Sequence, residues 1–99
     1  MQIENKVVAV TGGARGIGKA IAAAFADRGA RVALLDLVPA DVEATRAEFA
    51  AKGVDVRAYT VNVAREAEVV AALDQVVADF GGLDVMINNA GIIKDALLV

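Results

Sequence analysis

The stretch Val7-Val8-Ala9-Val10-Thr11-Gly12-Gly13-Ala14-Arg15-Gly16-Ile17-Gly18 constrains this chain more than any other. Four apolar residues in a row suit a strand covered on both faces, as in the centre of a parallel sheet. Gly12 and Gly13 then permit a tight turn, and Gly16 and Gly18 remove side chains where a bound group and a neighbouring strand would approach. A helix follows at once, starting near Gly16, with Ile17, Ala20, Ile21, Ala24 and Phe25 predicted as its inward face. Its first N–H groups and positive dipole end would face the glycine turn, an anion site suited to a pyrophosphate. The competing reading is a plain strand-to-helix turn. Lys19 follows the last glycine without a Gly-Lys-Ser/Thr sequence, which argues against a P-loop.

The rest of the chain alternates strand and helix. Gly29 stops the first helix, and a second apolar strand from Arg31 to Leu35 ends on Asp36. That carboxylate falls in the range after Gly18 where an acidic residue meets an adenosine ribose; the alternative is a solvated charge at a strand end. Pro39 opens a second helix running to about Lys52, with Val42, Thr45 and Phe49 inward and Gly53 closing it. Val54 to Val61 alternates in part, as a strand near a sheet edge does, and Asn62-Val63 ends it. A third helix from about Glu66 to Phe80 carries Val69, Val70, Leu73, Val76, Val77 and Phe80 at helical spacing. Gly81-Gly82 breaks it, and Leu83 to Ile87 reads as the fourth strand before Asn88-Asn89-Ala90-Gly91, which alone would pass for a polar turn.

Short-looped alternation of this kind predicts an α/β fold with a parallel, Rossmann-type sheet of order 3-2-1-4 and three helices. Crossing back over strand 1 opens a crevice above Gly12 to Gly18. Ninety-nine residues make one small domain, expected here as a partial Rossmann unit over 1–99. The 58% hydrophobic content exceeds that of ordinary soluble domains, which fits strands covered on both sides.

Net charge of −3 and the lack of a basic stripe argue against nucleic acid as a partner. No apolar run reaches the ~20 residues of a membrane span, so no membrane partner is expected. Zero Cys and zero His exclude a thiol nucleophile, disulfides and the usual zinc ligand sets, so no metal site is expected. The first residues lack the pattern of a secretory signal, and a cytoplasmic location is expected.

Four stretches together resemble the short-chain dehydrogenases/reductases. Thr11 to Gly18 is similar to that family's TGxxxGxG loop and Asn88-Asn89-Ala90-Gly91 to its NNAG motif. Asp36 stands at the family's ribose-reading position and Asn62-Val63 at its adenine-contacting one. The tail from Ala90 to Val99 most resembles the 3-oxoacyl-[acyl-carrier-protein] reductase and acetoacetyl-CoA reductase branch, and sugar and alcohol dehydrogenases share much of it.

The resemblance implies an NAD(P)-dependent oxidoreductase acting on a carbonyl or alcohol. It implies that Gly12, Gly16, Ile17 and Gly18 line the phosphate and ribose side of the cofactor, with Arg15 at the surface near the phosphates. Asp36 would accept hydrogen bonds from the ribose hydroxyls, Asn62 and Val63 would meet the adenine, and Asn89, Ala90 and Gly91 would approach the adenosine ribose. Thr11 would bond toward that last motif. A carboxylate at Asp36 repels a 2′-phosphate, which favours NAD over NADP, with Arg15 and Arg31 as cations that soften the preference.

The family's catalytic Asn, Ser and Tyr-x-x-x-Lys lie beyond its NNAG motif. Tyr59, the one tyrosine here, has Val63 and not Lys at the fourth following position. The 99 residues are therefore expected to be the cofactor half of a homo-oligomeric enzyme, inactive alone, with the edge of strand 4 open to another chain. The other reading is a stand-alone, non-catalytic dinucleotide-binding or interaction module.

Overall fold

The computed structural model describes residues 2–89. Its elements alternate as expected: β1 (Val7–Thr11), α1 (Gly16–Asp27), β2 (Arg31–Asp36), α2 (Pro39–Ala51), β3 (Val56–Thr60), α3 (Glu66–Phe80) and β4 (Val85–Asn88). The four strands form one sheet in the order β3-β2-β1-β4. All three pairings are parallel, with Val8 opposite Val32 and Val85. The fold class and strand order read from the sequence are those observed.

Strand periodicity divides the core into two layers. Val7 and Ala9 of β1 and Ala33 and Leu35 of β2 face one way, packing with Val61 and with Ala72, Val76 and Phe80 of α3. Val8, Val10, Val32 and Leu34 face the other, packing with Ala22 of α1 and Phe49 of α2. Two crossovers thus lie on one face and the third on the opposite face, because the chain reverses its winding at β1. Every residue of β1 is buried, whereas β3 and β4 at the edges are only partly covered.

Both regular edge strands are shorter than the apolar pattern suggests. β3 begins at Val56, and β4 begins at Val85 because Asp84 is occupied as a clamp. Its Oδ2 accepts the Val7 N–H at 2.8 Å, and its own N–H donates to the Val7 carbonyl at 2.9 Å. The entry into β4 is thereby fixed to the start of β1.

The helices have the expected period, but two are rotated from the expected phase. On α1 the buried residues are Gly18 and Ala22, with Phe25 and Ala26 half-buried against the sheet, while Ile17 is 74% exposed and Ala20 and Ala24 face solvent. Small residues bring this helix close to the strands, and that close approach decides its phase. On α3 the buried residues are Ala72, Val76 and Phe80, while Val70 and Val77 are exposed. Inward residues of α2 are Val42, Thr45 and Phe49, as its pattern predicts.

One polar cluster ties β3 to α3 away from the glycine loop. The Tyr59 hydroxyl donates to Asp79 Oδ2 at 2.7 Å, and Gln75 Nε2 donates to Asp79 Oδ1 at 2.9 Å. Burial, then the Asp79 hydrogen bond, pushes the phenol above its ordinary value of 10.0. The hydrogen bonds from Tyr59, then Gln75, hold the carboxyl below its ordinary value of 3.8. A raised phenol pKa stabilises the fold fully below pH ~10 and loses that contribution as pH rises beyond it. The depressed carboxyl contributes above pH ~4 and loses its contribution as pH falls. Tyr59→Phe is therefore expected to lower Tm by about 5 °C near neutrality. Its deficit relative to the unsubstituted chain should shrink at both pH extremes, as followed by thermal melts across pH.

Candidate functional site

The sheet reverses between β1 and β4, and the loops at the C-terminal ends of the strands enclose a cleft of about 500 Å³. Its walls are Gly12, Arg15, Gly16, Asp36, Leu37, Val63 and Asn89. Four segments distant in sequence thus converge there: the glycine loop, the end of β2, the turn after β3 and the end of β4.

The glycine loop is shaped by close packing. Gly12 adopts φ +67°, and its N–H donates to the Leu35 carbonyl at 2.7 Å, so the turn leaves β1 directly beside β2. Gly18 lies under the loop. A Cβ there would sit 1.9 Å from the Gly12 carbonyl oxygen and 2.6 Å from Asn89 Nδ2, so only glycine lets α1, the loop and β4 meet.

Two residues of neighbouring elements hold the loop from outside. Asp36 Oδ2 accepts the Ala14 N–H at 3.1 Å, and the Thr45 hydroxyl of α2 donates to the Ala14 carbonyl at 3.0 Å. The other Asp36 oxygen, Oδ1, accepts the Leu37 N–H at 2.8 Å. Asp36 is 8% exposed, so its position is set by the fold, not by solvent. An ionised carboxylate has about four acceptor sites, and two bonds leave capacity for two hydroxyl donors.

Anion chemistry comes from the helix end. Arg15 is the N-cap of α1 and supplies no side-chain cap, so the first-turn N–H groups of Gly16, Ile17 and Gly18 depend on an external acceptor. The positive end of the helix dipole adds to this. These donors, a loop built on Gly12, Gly13 and Gly16, and the Asp36 carboxylate have the chemistry to take an anion at the helix and hydroxyl donors at the acid.

Of the residues singled out by sequence, Gly12, Arg15, Gly16, Asp36, Val63 and Asn89 share the cleft. Ile17 is not among the residues lining the cleft and its side chain is exposed, and Gly18 lies beneath the wall. Asn62 is set back in a turn. Its Oδ1 accepts the Ala64 N–H at 3.0 Å, and its N–H donates to Glu68 Oε1 at 3.0 Å, starting α3. Ala90 and Gly91 lie outside the described residues. Thr11 makes the bond expected of it, from Oγ1 to Asn88 Oδ1 at 3.0 Å.

Arg31 is a correction. It opens β2 at the end opposite Asp36, where its Nε pairs with Asp55 Oδ2 at 3.1 Å and its guanidinium lies 5.2 Å from the Phe80 ring centre. It cannot soften a preference set at the other end of the strand. Leu37, 54% exposed on the cleft wall, was not singled out, although an apolar residue directly after the acid is visible in the sequence. The Thr45 tie to Ala14 joins residues 31 apart and has no local signature.

Residues 6–98 match the family described as short chain dehydrogenase. The chain belongs to that family. It is 46% identical over 96 residues to the 3-oxoacyl-[acyl-carrier-protein] reductase of Staphylococcus epidermidis, covering 96% of this chain and 39% of that protein. It is 42% identical over 93 residues to the D-threitol dehydrogenase of Mycolicibacterium smegmatis, covering 94% of this chain and 36% of that one. Among solved structures, NAD+-bound xylitol dehydrogenase superposes with a TM-score of 0.86 at 39% identity, over 93% of this chain and 35% of that chain. A blue fluorescent protein from a metagenomic library, in complex with NADPH, superposes with a TM-score of 0.85 at 37% identity, over 95% and 39%. The chain thus spans well under half the length of these relatives. Among the described residues, no helix is long and apolar enough to cross a membrane, and no acidic or sulfur cluster could hold a metal.

Proposed function

We propose that these residues form the cofactor-binding part of an NAD(P)-dependent oxidoreductase that interconverts a carbonyl and an alcohol, with NAD the preferred dinucleotide. The observation that carries the reading is the convergence of Asp36 and the uncapped start of α1 on one cleft beside Gly12. The nicotinamide dinucleotide, when bound, would give a hydride to the carbonyl in its reduced form and take one from the alcohol in its oxidised form. The chain's own part is to bind and orient it. First-turn N–H groups of α1 receive the pyrophosphate, and Asp36 takes the adenosine ribose hydroxyls at its remaining acceptor sites. Leu37 and Val63 offer apolar walls to the adenine, and Asn89, just after β4, closes the cleft. Within the 99 residues we infer binding without turnover.

A 3-oxoacyl thioester is the first substrate class to try, given the reductase relative at 46% identity, and polyols are the second, given the D-threitol and xylitol dehydrogenases. The test is spectrophotometric assay of the full-length protein at 340 nm, with NAD or NADH and NADP or NADPH, over oxoacyl thioesters, ketones and polyols. Turnover of one carbonyl–alcohol pair with NAD(H) favoured supports the reading. No dinucleotide-linked turnover across all of them would contradict it.

A further inference from the structure

Arg15 is the one cation on the cleft wall among the described residues, and it is not unopposed. Its Nε lies 3.6 Å from Asp41 Oδ2, with the two side chains 67% and 39% exposed. Asp41 stands in the first turn of α2, where its N–H donates to the Val38 carbonyl at 3.1 Å. The carboxylate is therefore positioned by the helix that starts just after Asp36 and Leu37 leave the cleft wall.

A guanidinium paired in this way presents a dipole to the cleft, not a full positive charge. A phosphate taken by the remaining guanidinium donors would sit beside the Asp41 carboxylate, which repels it and competes for Arg15. We propose that Asp41 is a specificity-determining residue acting through Arg15: it withholds the guanidinium from a ribose 2′-phosphate and so reinforces the discrimination exerted by Asp36. The inference rests on the reading that the cleft takes a nicotinamide dinucleotide. Asp41 does not itself line the cleft and acts as a positioning residue through its pairing with Arg15.

The test is a double-mutant cycle on the ratio of NADP to NAD dissociation constants, measured by calorimetry for the unsubstituted chain, Asp41→Asn, Arg15→Gln and the double variant. Asp41→Asn should improve NADP relative to NAD about threefold to fivefold at low salt, the scale of an exposed ion pair. The gain should fall away at about 0.5 M salt, where exposed charges are screened. In the Arg15→Gln background the same substitution should leave the ratio unchanged, an outcome that loss of a helix-terminal charge alone does not produce. Thermal melts of each variant serve as the folding control.

An unchanged ratio with normal NAD binding overturns this proposal alone, and so does an equal change with and without Arg15. Failure of the unsubstituted chain to take up either dinucleotide overturns the cofactor reading, and this proposal with it.

Discussion

Gly18→Ala is expected to abolish measurable dinucleotide binding and to lower Tm by roughly 10 °C or more. The added methyl would stand 1.9 Å from the Gly12 carbonyl oxygen and 2.6 Å from Asn89 Nδ2. The first of these neighbours is backbone and cannot rotate away. Either α1 retreats from the sheet, loosening Ala22 from Val8 and Val10, or the loop shifts and breaks the Gly12 bond to Leu35. Both movements carry the helix N-terminus off the cleft. Overpacking of this kind costs about 1–3 kcal/mol, and a backbone obstacle places it at the upper end. Gly82→Ala is the contrast, since a Cβ there has nothing within 4 Å, and it should melt and bind like the unsubstituted chain. Equal behaviour of the two variants would show that the close approach at Gly18 is not what shapes the loop.

Asp36→Ala should weaken NAD binding by more than about tenfold while weakening NADP much less, so that the preference moves toward NADP. Hydrogen bonds to a charged group contribute about 1.5–3 kcal/mol each, and the ribose would lose two of them. NADP has only its 3′-hydroxyl left to donate to the carboxylate and is freed of the repulsion on its 2′-phosphate. Stability falls as well, because the Ala14 N–H, buried under the loop, loses its only side-chain acceptor. Asp36→Asn separates the two effects by removing the charge while keeping one acceptor oxygen. Calorimetry with both dinucleotides measures the ratio, and unchanged relative affinities in Asp36→Ala would mean that this carboxylate does not read the ribose.

How much of this was legible in the sequence depended on whether the signal was local. The Val7–Val10 run, the glycine spacing and the helical pattern of Glu66–Phe80 each carry their own period, and together they dictate the sheet order that is observed. Helix phase was less legible. Ile17, Val70 and Val77 are apolar yet exposed, while Gly18 and Ala22 are the buried residues of α1, because closeness of approach outranks side-chain hydrophobicity on that helix. In the cleft, Gly12, Gly16 and Asp36, flagged by spacing, came together with Val63 and Asn89, flagged by the family resemblance. The contacts that hold them did not show: Thr45 on Ala14, Asp84 on Val7 and Arg15 on Asp41 join separate elements. Arg31 was misplaced for the opposite reason. It is near Asp36 in sequence, but a strand carries the two to opposite ends of the sheet.

The most direct test of the cofactor cleft is a titration of the isotope-labelled chain with NAD, followed by amide resonances. The account predicts saturable one-to-one binding with shifts concentrated at Gly12, Gly16, Gly18, Leu37, Val63 and Asn89, and with Tyr59 of β3 and Asp79 of α3, which do not line the cleft, unmoved. Absence of saturable binding, or shifts that spare the cleft amides, would contradict it.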